Sequence, residues 1–454
     1  MKITFFSTNS STYSEKDRNV KEFPSREEIW TKFTEEYPEF EISFVVQKPG
    51  HFLLDNAEPS SKIKTIICDE NQTNEQIAEE IASLSPDLAV SITYWETPYD
   101  WLSLRDSVIA NILREKKIRT VSHNIKAALY SFDKRNTRNF LISNSFNSPK
   151  GIYIHHELYW AERNNQKISF NAYKEYIHSE IKKLKLPLVI KDTTGLSSYG
   201  MDVCTTYDQA FHILRSKKNN GDRIIEEFLD GYSFGIEVYG SNKKYTLSPL
   251  FINSVNQFGL TSPKQNVKLG PVMNFEKFRV FELYRDIERL STMLKFNGIC
   301  QVDLIFSKNK WYIIEINSRV SGMTETCAAS MNLTLPELFI YSSFLGKQNL
   351  EQTPAFQKIQ EKIKRNYVMN MKFPILSDEK LEKLYRHTSV QNVNQIHNLE
   401  AKQLREEGYS EIIFGKTKTL NELLFELGSI KNEFGSDIEP VFYNNALQLA
   451  EEIK

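Results

Sequence analysis

Two short apolar segments near the middle of the chain carry acidic side chains where a buried strand normally has none. The first reads QVDLIF at 301–306 and the second reads WYIIEIN at 311–317. Because side chains alternate between the faces of a strand, Glu315 and Asn317 are expected on one face. The opposite face is then expected to carry Tyr312, Ile314 and Ile316. This hairpin must therefore meet a core on one face and polar surroundings on the other.

The length of the connecting loop decides whether the acids of the two strands meet. A three-residue loop over 308–310 is expected to place Asp303 opposite Glu315, whereas a loop of two or four residues would separate them. Two carboxylates about 4 Å apart repel by roughly 4 kcal/mol at an effective dielectric constant of 20, and a divalent cation offsets this best. Asp303, Glu315 and Asn317 offer the hard oxygen ligands that Mg²⁺ prefers. The alternative is an edge hairpin with solvated acids.

The order of apolar and amphipathic segments predicts the fold around this hairpin. Residues 1–130 alternate strand-like and helix-like segments, which predicts a parallel sheet covered by helices. No GxGxxG follows the first strand, so a dinucleotide is not expected there. Residues 187–346 hold several strand-like segments separated by turn residues, which indicates a mostly antiparallel sheet with helices.

Three further segments carry residues suited to binding a nucleotide, although each has a common structural explanation. Lys191 ends an apolar strand, and a loop rich in glycine, serine and threonine follows it, which predicts a flexible cover over phosphates. The segment RIIEEFLDG pairs two acids with apolar residues and can bind adenine, or it can be an ordinary strand with one exposed acid. Asp133 is expected to cap a helix that has Lys134 in its first turn, where a solvated lysine is the commoner explanation.

Taken together and in this order, these segments resemble the ATP-grasp superfamily of carboxylate–amine ligases, from about Lys134 to Gly346. The resemblance implies that Lys134 and Lys191 contact the phosphates of ATP under a lid at 193–200, and that Arg319 lies near the reacting carboxylate. It implies catalytic roles for Arg319 and Lys191. The implied nucleotide-binding residues are Lys134, Lys191, Ser197, Ser198, Gly200, Glu226, Glu227, Phe228 and Leu229, and the implied metal ligands are Asp303, Glu315 and Asn317.

One position departs from the pattern of the superfamily. Many members place a glutamate after the adenine-binding segment to hold the ribose hydroxyls, and here that position corresponds to Ser233. Glu237 or Asp230 could take that role.

The resemblance also implies the domain order. We expect an α/β and α+β protein with an N-terminal parallel α/β domain, an ATP-grasp fold of two α+β subdomains and a small C-terminal α/β extension. The expected boundaries are 1–130 for the N-terminal domain, 131–230 and 231–350 for the two subdomains, and 351–454 for the extension. We recognise no family resemblance in the residues of this extension.

The resemblance implies an ATP-dependent ligase that forms an amide or peptide bond through an acyl phosphate, using Mg²⁺ or Mn²⁺, on a small carboxylate and a small amine. Amino acids are the expected substrates, by analogy with other ligases of this size. Two alternatives stay open: a carboxylating enzyme of the biotin-carboxylase kind, and a nucleotide-binding regulator without chemistry. The segment 253–275 between the adenine-binding segment and the hairpin offers Lys264 and Lys268 as substrate contacts, or as solvated loop lysines.

The charge balance limits the remaining partners. Lys and Arg total 57 and Asp and Glu total 58, so the formal charge is −1 and no overall field attracts nucleic acid or an anionic membrane. The longest apolar runs are far shorter than the ~20 residues of a membrane-spanning helix. The four cysteines form no CxxC pair, and no signal-peptide pattern opens the sequence. A cytoplasmic protein is expected, and a homodimer is one assembly left open.

Overall fold

The computed structural model describes residues 1–8, 18–55, 58–94, 102–194, 201–216, 220–256, 266–398, 408–438 and 440–454. Among these residues no helix is both long enough and apolar enough to cross a lipid bilayer. The four cysteines are all free and buried.

The N-terminal part of the chain forms a parallel sheet with helices on both faces, as the alternating pattern predicts. The strand order is β4-β3-β1-β5-β6, and every pairing in it is parallel. Phe5 and Phe6 point to opposite faces of β1 and are both fully buried, because each face packs against its own layer. The elements are β1 (Lys2–Ser7), β2 (Arg18–Phe23), α1 (Arg26–Glu36), β3 (Glu41–Gln47), β4 (Lys64–Cys68), α2 (Asn74–Ser83), β5 (Leu88–Ser91), α3 (Leu102–Glu115), β6 (Thr120–Val121) and α4 (Ile125–Phe132).

The next part of the chain forms a small antiparallel sheet. Its strand order is β7-β10-β8-β9, and the helices that follow β7 bury a separate core that includes Ile177, Ile190 and Ile225. Helix α5, which precedes this sheet in the chain, instead buries Phe140 and Leu141 in the core of the large sheet. The elements are α5 (Lys134–Ser143), β7 (Gly151–Ile154), α6 (His156–Tyr159), α7 (Ala161–Asn164), α8 (Ala172–Ile181), β8 (Leu188–Asp192), β9 (Asp202–Cys204), α9 (Tyr207–Arg215) and β10 (Arg223–Glu227).

The remaining strands form one large antiparallel sheet to which the C-terminal residues contribute directly. Its order is β16-β15-β11-β13-β14-β17-β19-β18-β2, and β12 pairs with β11. Strand β2 reaches this sheet from the N-terminal part of the chain. The elements are β11 (Tyr232–Ser241), β12 (Lys244–Leu247), β13 (Phe251–Asn253), β14 (Lys268–Gly270), α10 (Val280–Leu294), β15 (Gly298–Ser307), β16 (Lys310–Asn317), α11 (Thr324–Ser330), α12 (Leu335–Phe344), α13 (Gln348–Glu351), α14 (Pro354–Lys362), β17 (Tyr367–Phe373), α15 (Asp378–Tyr385), β18 (Val390–Asn398), β19 (Gly408–Thr417), α16 (Leu420–Phe434) and α17 (Pro440–Ile453).

The two faces of the large sheet differ in chemistry. One face buries alternate residues such as Phe234, Leu269 and Met371 against α10, α15, α16 and α17 in the largest hydrophobic cluster. The other face of the large sheet carries polar residues, among them Asp303 on β15 and Lys268 on β14. The fold thus matches the predicted mixed α/β class. The predicted metal ligands Asp303, Glu315 and Asn317 lie on the polar face of the large sheet.

Gly346 follows α12 in the chain and packs closely against Ser241 at the end of β11. Its φ is +84°, and a Cβ there would lie 2.0 Å from the carbonyl oxygen of Ser241. Left-handed backbone at a non-glycine residue costs about 1–3 kcal/mol, so Gly346→Ala is expected to lower the stability to urea and heat.

Gly428 in α16 is the matched control, because a Cβ there would meet nothing within 4 Å. Alanine is favoured over glycine inside a helix by about 0.5–1 kcal/mol, so Gly428→Ala should keep or raise stability. Equal melting temperatures for the two variants would contradict this description of the contact at Gly346.

Candidate active site

The hairpin of β15 and β16 brings Asp303 and Glu315 together, but by a different route from the one predicted. The turn has two residues, Lys308 and Asn309, with φ of 48° and 61°, and Ser307 pairs with Lys310. The predicted three-residue loop is therefore wrong. A β-bulge between Asp303 and Leu304 inserts one extra residue on β16, and this restores the pairing of Asp303 with Glu315.

The bulge also changes which apolar residues reach the core. Trp311 and Ile313 are buried in the large core beside the turn, and Ile316 is buried in it beyond the bulge. Tyr312 pairs with Ile305 and lies on the face of Asp303, so the expectation that it points away from Glu315 is wrong. A single inserted residue thus lets both ends of β16 bury apolar side chains while the acids stay on the polar face.

Side chains around Asp303 form a hydrogen-bonded cluster. Gln301 Nε2 donates to Asp303 Oδ1 at 2.5 Å, and Asn317 Nδ2 donates to Gln301 Oε1 at 2.7 Å and to Asp303 Oδ2 at 3.5 Å. Burial and the neighbouring Glu315 carboxylate raise the pKa of Asp303 to about 7. The acid pair is therefore short of positive charge in the protein alone.

Lys134 partly compensates this acid pair. Its Nζ lies 3.2 Å from Glu315 Oε1, and the lysine occupies the first turn of α5 as predicted, with Asp133 as the N-cap. The backbone N–H of Lys134 donates to the carbonyl of Thr193 at 2.8 Å. This contact ties the start of α5 to the chain that leaves β8.

Lys191 and Glu226 form a buried ion pair on neighbouring strands of the small sheet. The register pairs Ile190 with Ile225, and Lys191 Nζ lies 2.5 Å from Glu226 Oε2. Arg138 Nε lies 3.6 Å from the other oxygen of Glu226. Lys191 and Glu226 are 6% and 5% exposed, so this carboxylate is already engaged by two cations.

The predicted adenine-binding segment lies at the end of β10, and backbone hydrogen bonds hold it in place. Glu227 N–H donates to the carbonyl of Lys150 at 2.8 Å, and Phe228 N–H donates to that of Pro187 at 2.9 Å. The Glu227 carboxylate accepts from the backbone N–H of Lys185 at 3.0 Å. Of the predicted binding residues, Ser197, Ser198 and Gly200 in the lid lie outside the described residues, as does Lys264.

Arg319 follows the hairpin and contacts the predicted metal ligand Asn317. Arg319 Nη2 donates to Asn317 Oδ1 at 3.0 Å, and Nη1 donates to the carbonyl of Val320 at 2.9 Å. The guanidinium therefore lies next to the acid cluster, where it can stabilise negative charge that develops on a bound carboxylate.

The donor set fits a magnesium ion. Two carboxylates and an amide lie on adjacent strands, and burial together with the neighbouring Glu315 carboxylate raises the pKa of Asp303, an effect that a divalent ion would oppose. To ligate through its oxygen, Asn317 would exchange its contact with Arg319 for the ion. The cluster has only two acids, which agrees with the absence of any group of three or more His, Cys, Asp or Glu ligands in the part of the chain that the structure describes.

Glu237 and Asp230, the residues suggested to hold the ribose in place of a glutamate at position 233, both make hydrogen bonds within the protein. Glu237 is fully buried and accepts hydrogen bonds from Ser321, Thr324 and Tyr239 at 2.6–2.7 Å. Its carboxylate therefore anchors the loop after Arg319. The carbonyl of Asp230 accepts from Ser307 Oγ at 2.6 Å, which fixes the chain next to the hairpin.

Two cavities among the described residues lie apart from this cluster. One of about 880 Å³ lies between α10 and the C-terminal helix, and one of about 440 Å³ lies between α1, α11 and β18. Neither contains a predicted site residue, so cavity size does not mark the cluster.

Sequence reasoning missed the contacts of two residues of the site, Gln301 and Arg138. Gln301 bridges Asp303 and Asn317, and its position two residues before Asp303 on the same strand was the available signal. Arg138 joins the Lys191–Glu226 pair from the second turn of α5, and only the three-dimensional arrangement of the small sheet reveals that contact.

Comparisons with known proteins identify a family to which this chain is similar. Residues 132–323 match the family model described as the ATP-grasp domain. The D-alanine–D-alanine ligase of Buchnera aphidicola subsp. Schizaphis graminum is 28% identical over 248 residues, which cover 52% of this chain and 76% of that protein. The ligase of the same name from Azobacteroides pseudotrichonymphae is 32% identical over 168 residues, or 34% of this chain and 51% of that protein.

Solved structures share the fold over nearly the whole chain. An L-amino acid ligase from Bacillus licheniformis superposes with a TM-score of 0.63 at 14% identity, covering 96% of this chain and 97% of that one. Biotin carboxylase from Campylobacter jejuni superposes with a TM-score of 0.60 at 12% identity, covering 99% and 95%. At these identities the likeness shows the fold alone.

The charge shortage at Asp303 predicts a stabilising substitution in the metal-free protein. Its pKa is higher in the folded protein than in the unfolded chain, so protonation favours folding and that contribution is lost as the pH rises through about 7. Asp303→Asn should therefore stabilise the protein by about 1–2 kcal/mol at pH 8 in EDTA, and by less at pH 6. Urea unfolding at both pH values measures this difference.

Asp286→Asn, on the outer side of α10, is the control and should show no such pH dependence. Magnesium with nucleotide should raise the melting temperature of the wild type but not that of Asp303→Asn. Lower stability of Asp303→Asn at both pH values would contradict the assigned charge shortage.

Proposed function

Because the chain belongs to the ATP-grasp superfamily and is an ADP-forming ligase, we propose that it joins a small carboxylate to a small amine through an acyl phosphate, with amino acids as substrates. The observation that carries this proposal is the pairing of Asp303 with Glu315 across the bulged hairpin, with Asn317 and Arg319 beside them. Lys134 on α5 contacts Glu315, and Lys191 is paired with Glu226 in the small sheet. The names of the two curated relatives support amino acids as the substrate class.

We assign the nucleotide and the metal ion to separate groups within this site. Asp303, Glu315 and Asn317 would hold Mg²⁺, which supplies positive charge between the phosphates of ATP. Lys134 and Lys191 would contact those phosphates. Both lysines are held by glutamates in the structure, so bound phosphates would compete with Glu315 and Glu226 for them.

The first chemical step activates the carboxylate. One oxygen of the substrate carboxylate attacks the γ-phosphorus of ATP, the bond to the bridging oxygen breaks, and ADP leaves. The site contributes positioning and positive charge, because phosphoryl transfer needs little covalent help from the protein. Arg319, next to Asn317, orients the carboxylate for this attack.

The second step forms the amide bond. The neutral amine attacks the acyl carbon, the bond to the phosphate oxygen breaks, and inorganic phosphate leaves while the nitrogen loses a proton to solvent. Arg319 stabilises the negative oxygen of the tetrahedral adduct. Because water would also cleave the acyl phosphate, the site must exclude it.

The proposal is tested by turnover with defined pools. The protein is incubated with Mg²⁺, ATP and pools of L- and D-amino acids, with hydroxylamine added to trap an acyl phosphate as hydroxamate. Amino-acid-dependent release of phosphate together with hydroxamate is the expected result. Phosphate release that depends on bicarbonate and no amino acid would favour the carboxylating alternative, and tight ATP binding without turnover would favour a regulator.

Glu315→Gln removes one of the two charges proposed to hold the metal. It should lower kcat by at least about 10²-fold, since charge stabilisation at a transferring phosphoryl group is worth several kcal/mol, while the far-ultraviolet circular dichroism stays unchanged. Glu282→Gln is the control, because Glu282 on α10 is a half-buried acid that pairs with Arg279 and not with the hairpin, and it should keep wild-type turnover. A Glu315→Gln variant with full activity would refute the metal assignment.

A further inference from the structure

Arg138 on α5 approaches the Lys191–Glu226 pair, and the proposed chemistry gives it no role. Its Nε lies 3.6 Å from Oε1 of Glu226, whereas Lys191 Nζ lies 2.5 Å from Oε2. The two oxygens of one buried carboxylate therefore face two different cations. The distance to Arg138 is longer than a hydrogen bond, so Lys191 is the main counter-charge of Glu226 in this structure.

Helix α5 holds Arg138 from outside the small sheet. Arg138 follows Lys134 by four residues, so the two cations lie one turn apart on the same face of the helix. Phe140 and Leu141 of the same helix are buried in the core of the large sheet. Arg138 is therefore anchored independently of the strands that carry Lys191 and Glu226.

One buried donor of Arg138 lacks an acceptor. Its Nη2 donates to the carbonyl of Pro149 at 3.4 Å. Within the described residues, its Nε is buried and has no hydrogen-bond partner. A buried donor without a partner is unfavourable. A shift of about 0.5 Å would bring Glu226 Oε1 into hydrogen-bond range of this nitrogen.

Glu226 needs a counter-charge because it is buried. The residue is 5% exposed. Among the described residues, Arg138 and Lys191 are the two cations with a nitrogen within 4 Å of its carboxylate. On β7, Glu226 pairs with Gly151, where a Cβ would lie 2.6 Å from Glu226 Cγ, so that strand contributes no charged side chain opposite Glu226.

The proposed binding of ATP would remove the main counter-charge. Phosphates that draw Lys191 away would leave the Glu226 carboxylate with Arg138 alone. Breaking a buried ion pair at one partner is strongly unfavourable, because the other charge stays buried without compensation. An adenine amino group can donate a hydrogen bond to Glu226, but it is neutral and does not replace the lost positive charge.

We propose that Arg138 is a positioning residue for nucleotide binding, which takes over the Glu226 carboxylate when Lys191 moves to the phosphates of ATP. Its Nε then gains the acceptor that it lacks, and Glu226 stays ionised without Lys191. The pair can therefore open without leaving a buried charge uncompensated. The inference rests on the proposed contact of Lys191 with the phosphates and adds a residue that makes this contact accessible.

The test measures nucleotide binding rather than turnover. Wild type and variants are titrated by calorimetry at pH 7 with adenosine and, in the presence of Mg²⁺, with a non-hydrolysable ATP analogue. Arg138→Met should weaken binding of the analogue by about tenfold or more, because the bound state would hold an uncompensated carboxylate. Its affinity for adenosine should stay within about twofold of the wild type, since adenosine has no phosphates to draw Lys191 away.

The charge at position 138 should decide the size of the effect. Arg138→Lys keeps the charge and should recover much of the affinity for the analogue. Arg138→Gln keeps a donor without the charge and should lie between the lysine and methionine variants. It also replaces Arg138→Met as the neutral variant if the latter does not fold.

Proton uptake separates this role from a merely structural one. In Arg138→Met, the Glu226 carboxylate left by Lys191 should take up a proton, because an isolated buried charge neutralises itself. Titrations in two buffers of different ionisation enthalpy should therefore show more protons bound per analogue than in the wild type. In the Glu226→Gln background, Arg138→Met should change neither the affinity nor the proton uptake.

Arg289→Met is the matched control. Arg289 on α10 donates to the carbonyl of Asn144 at the other end of α5 at 2.9 Å, and its guanidinium lies 3.8 Å from the centroid of the Phe146 ring. The variant removes an arginine that supports the same helix but has no ion pair with Glu226. It should bind adenosine and the analogue as the wild type does.

Two results would overturn the inference. One is equal weakening of adenosine and the analogue in a folded neutral variant, and the other is an equal loss of affinity with and without the Glu226 carboxylate. Turnover with amino acids alongside either result would leave the ligase activity standing. Conversely, the expected binding effects without turnover in any amino-acid pool would contradict the proposed function and leave the role of Arg138. A wild type that binds no analogue would contradict both.

Discussion

The repulsion between two carboxylates on one hairpin is the constraint on which the rest of the site depends. Asp303 and Glu315 are paired across β15 and β16, and burial together with the Glu315 carboxylate raises the pKa of Asp303. Lys134 arrives from α5 and supplies part of the opposing positive charge. Helix α5 buries Phe140 and Leu141 in the core of the large sheet, and the N–H of Lys134 donates to the carbonyl of Thr193 after β8, so Lys134 lies where the two sheets meet.

The large sheet makes this arrangement compatible with a stable protein. One of its faces buries an apolar cluster shared by residues from α4 to the C-terminal helix, and this burial offsets the cost of charged groups on the other face. The C-terminal strands β17 and β19 extend the same sheet and carry Lys372 and Glu411 beside Lys268. The C-terminal residues, which had no assigned role in the sequence, therefore extend the same sheet as the hairpin, with β11, β13 and β14 between β15 and β17.

The sequence was sufficient for features that depend on periodicity and on local chemistry. The alternation of strand and helix predicted the parallel N-terminal sheet, and Asp133 with the following residues predicted the capped start of α5. The pairing of Asp303 with Glu315 was predicted correctly but for the wrong reason. A two-residue turn alone would have separated them. Strict alternation of side chains did not predict the bulge that corrects the register, which leaves Trp311, Ile313 and Ile316 all buried in the core.

Contacts between distant segments could not be predicted in this way. The engagement of Glu226 by Lys191 and Arg138, and the union of Asn253, Lys268 and Asn370 on one face, depend on strand order in sheets formed by segments far apart in the chain. Strand order is set by the packing of whole layers and not by any local pattern.

A crystal structure of the protein with Mg²⁺ and a non-hydrolysable ATP analogue tests the central claim most directly. The account predicts an ion about 2.0–2.1 Å from oxygens of Asp303 and Glu315 that also contacts the phosphates, with the ammonium groups of Lys134 and Lys191 turned from their glutamates toward the nucleotide. A nucleotide bound elsewhere, or an ion that touches neither carboxylate, would contradict it.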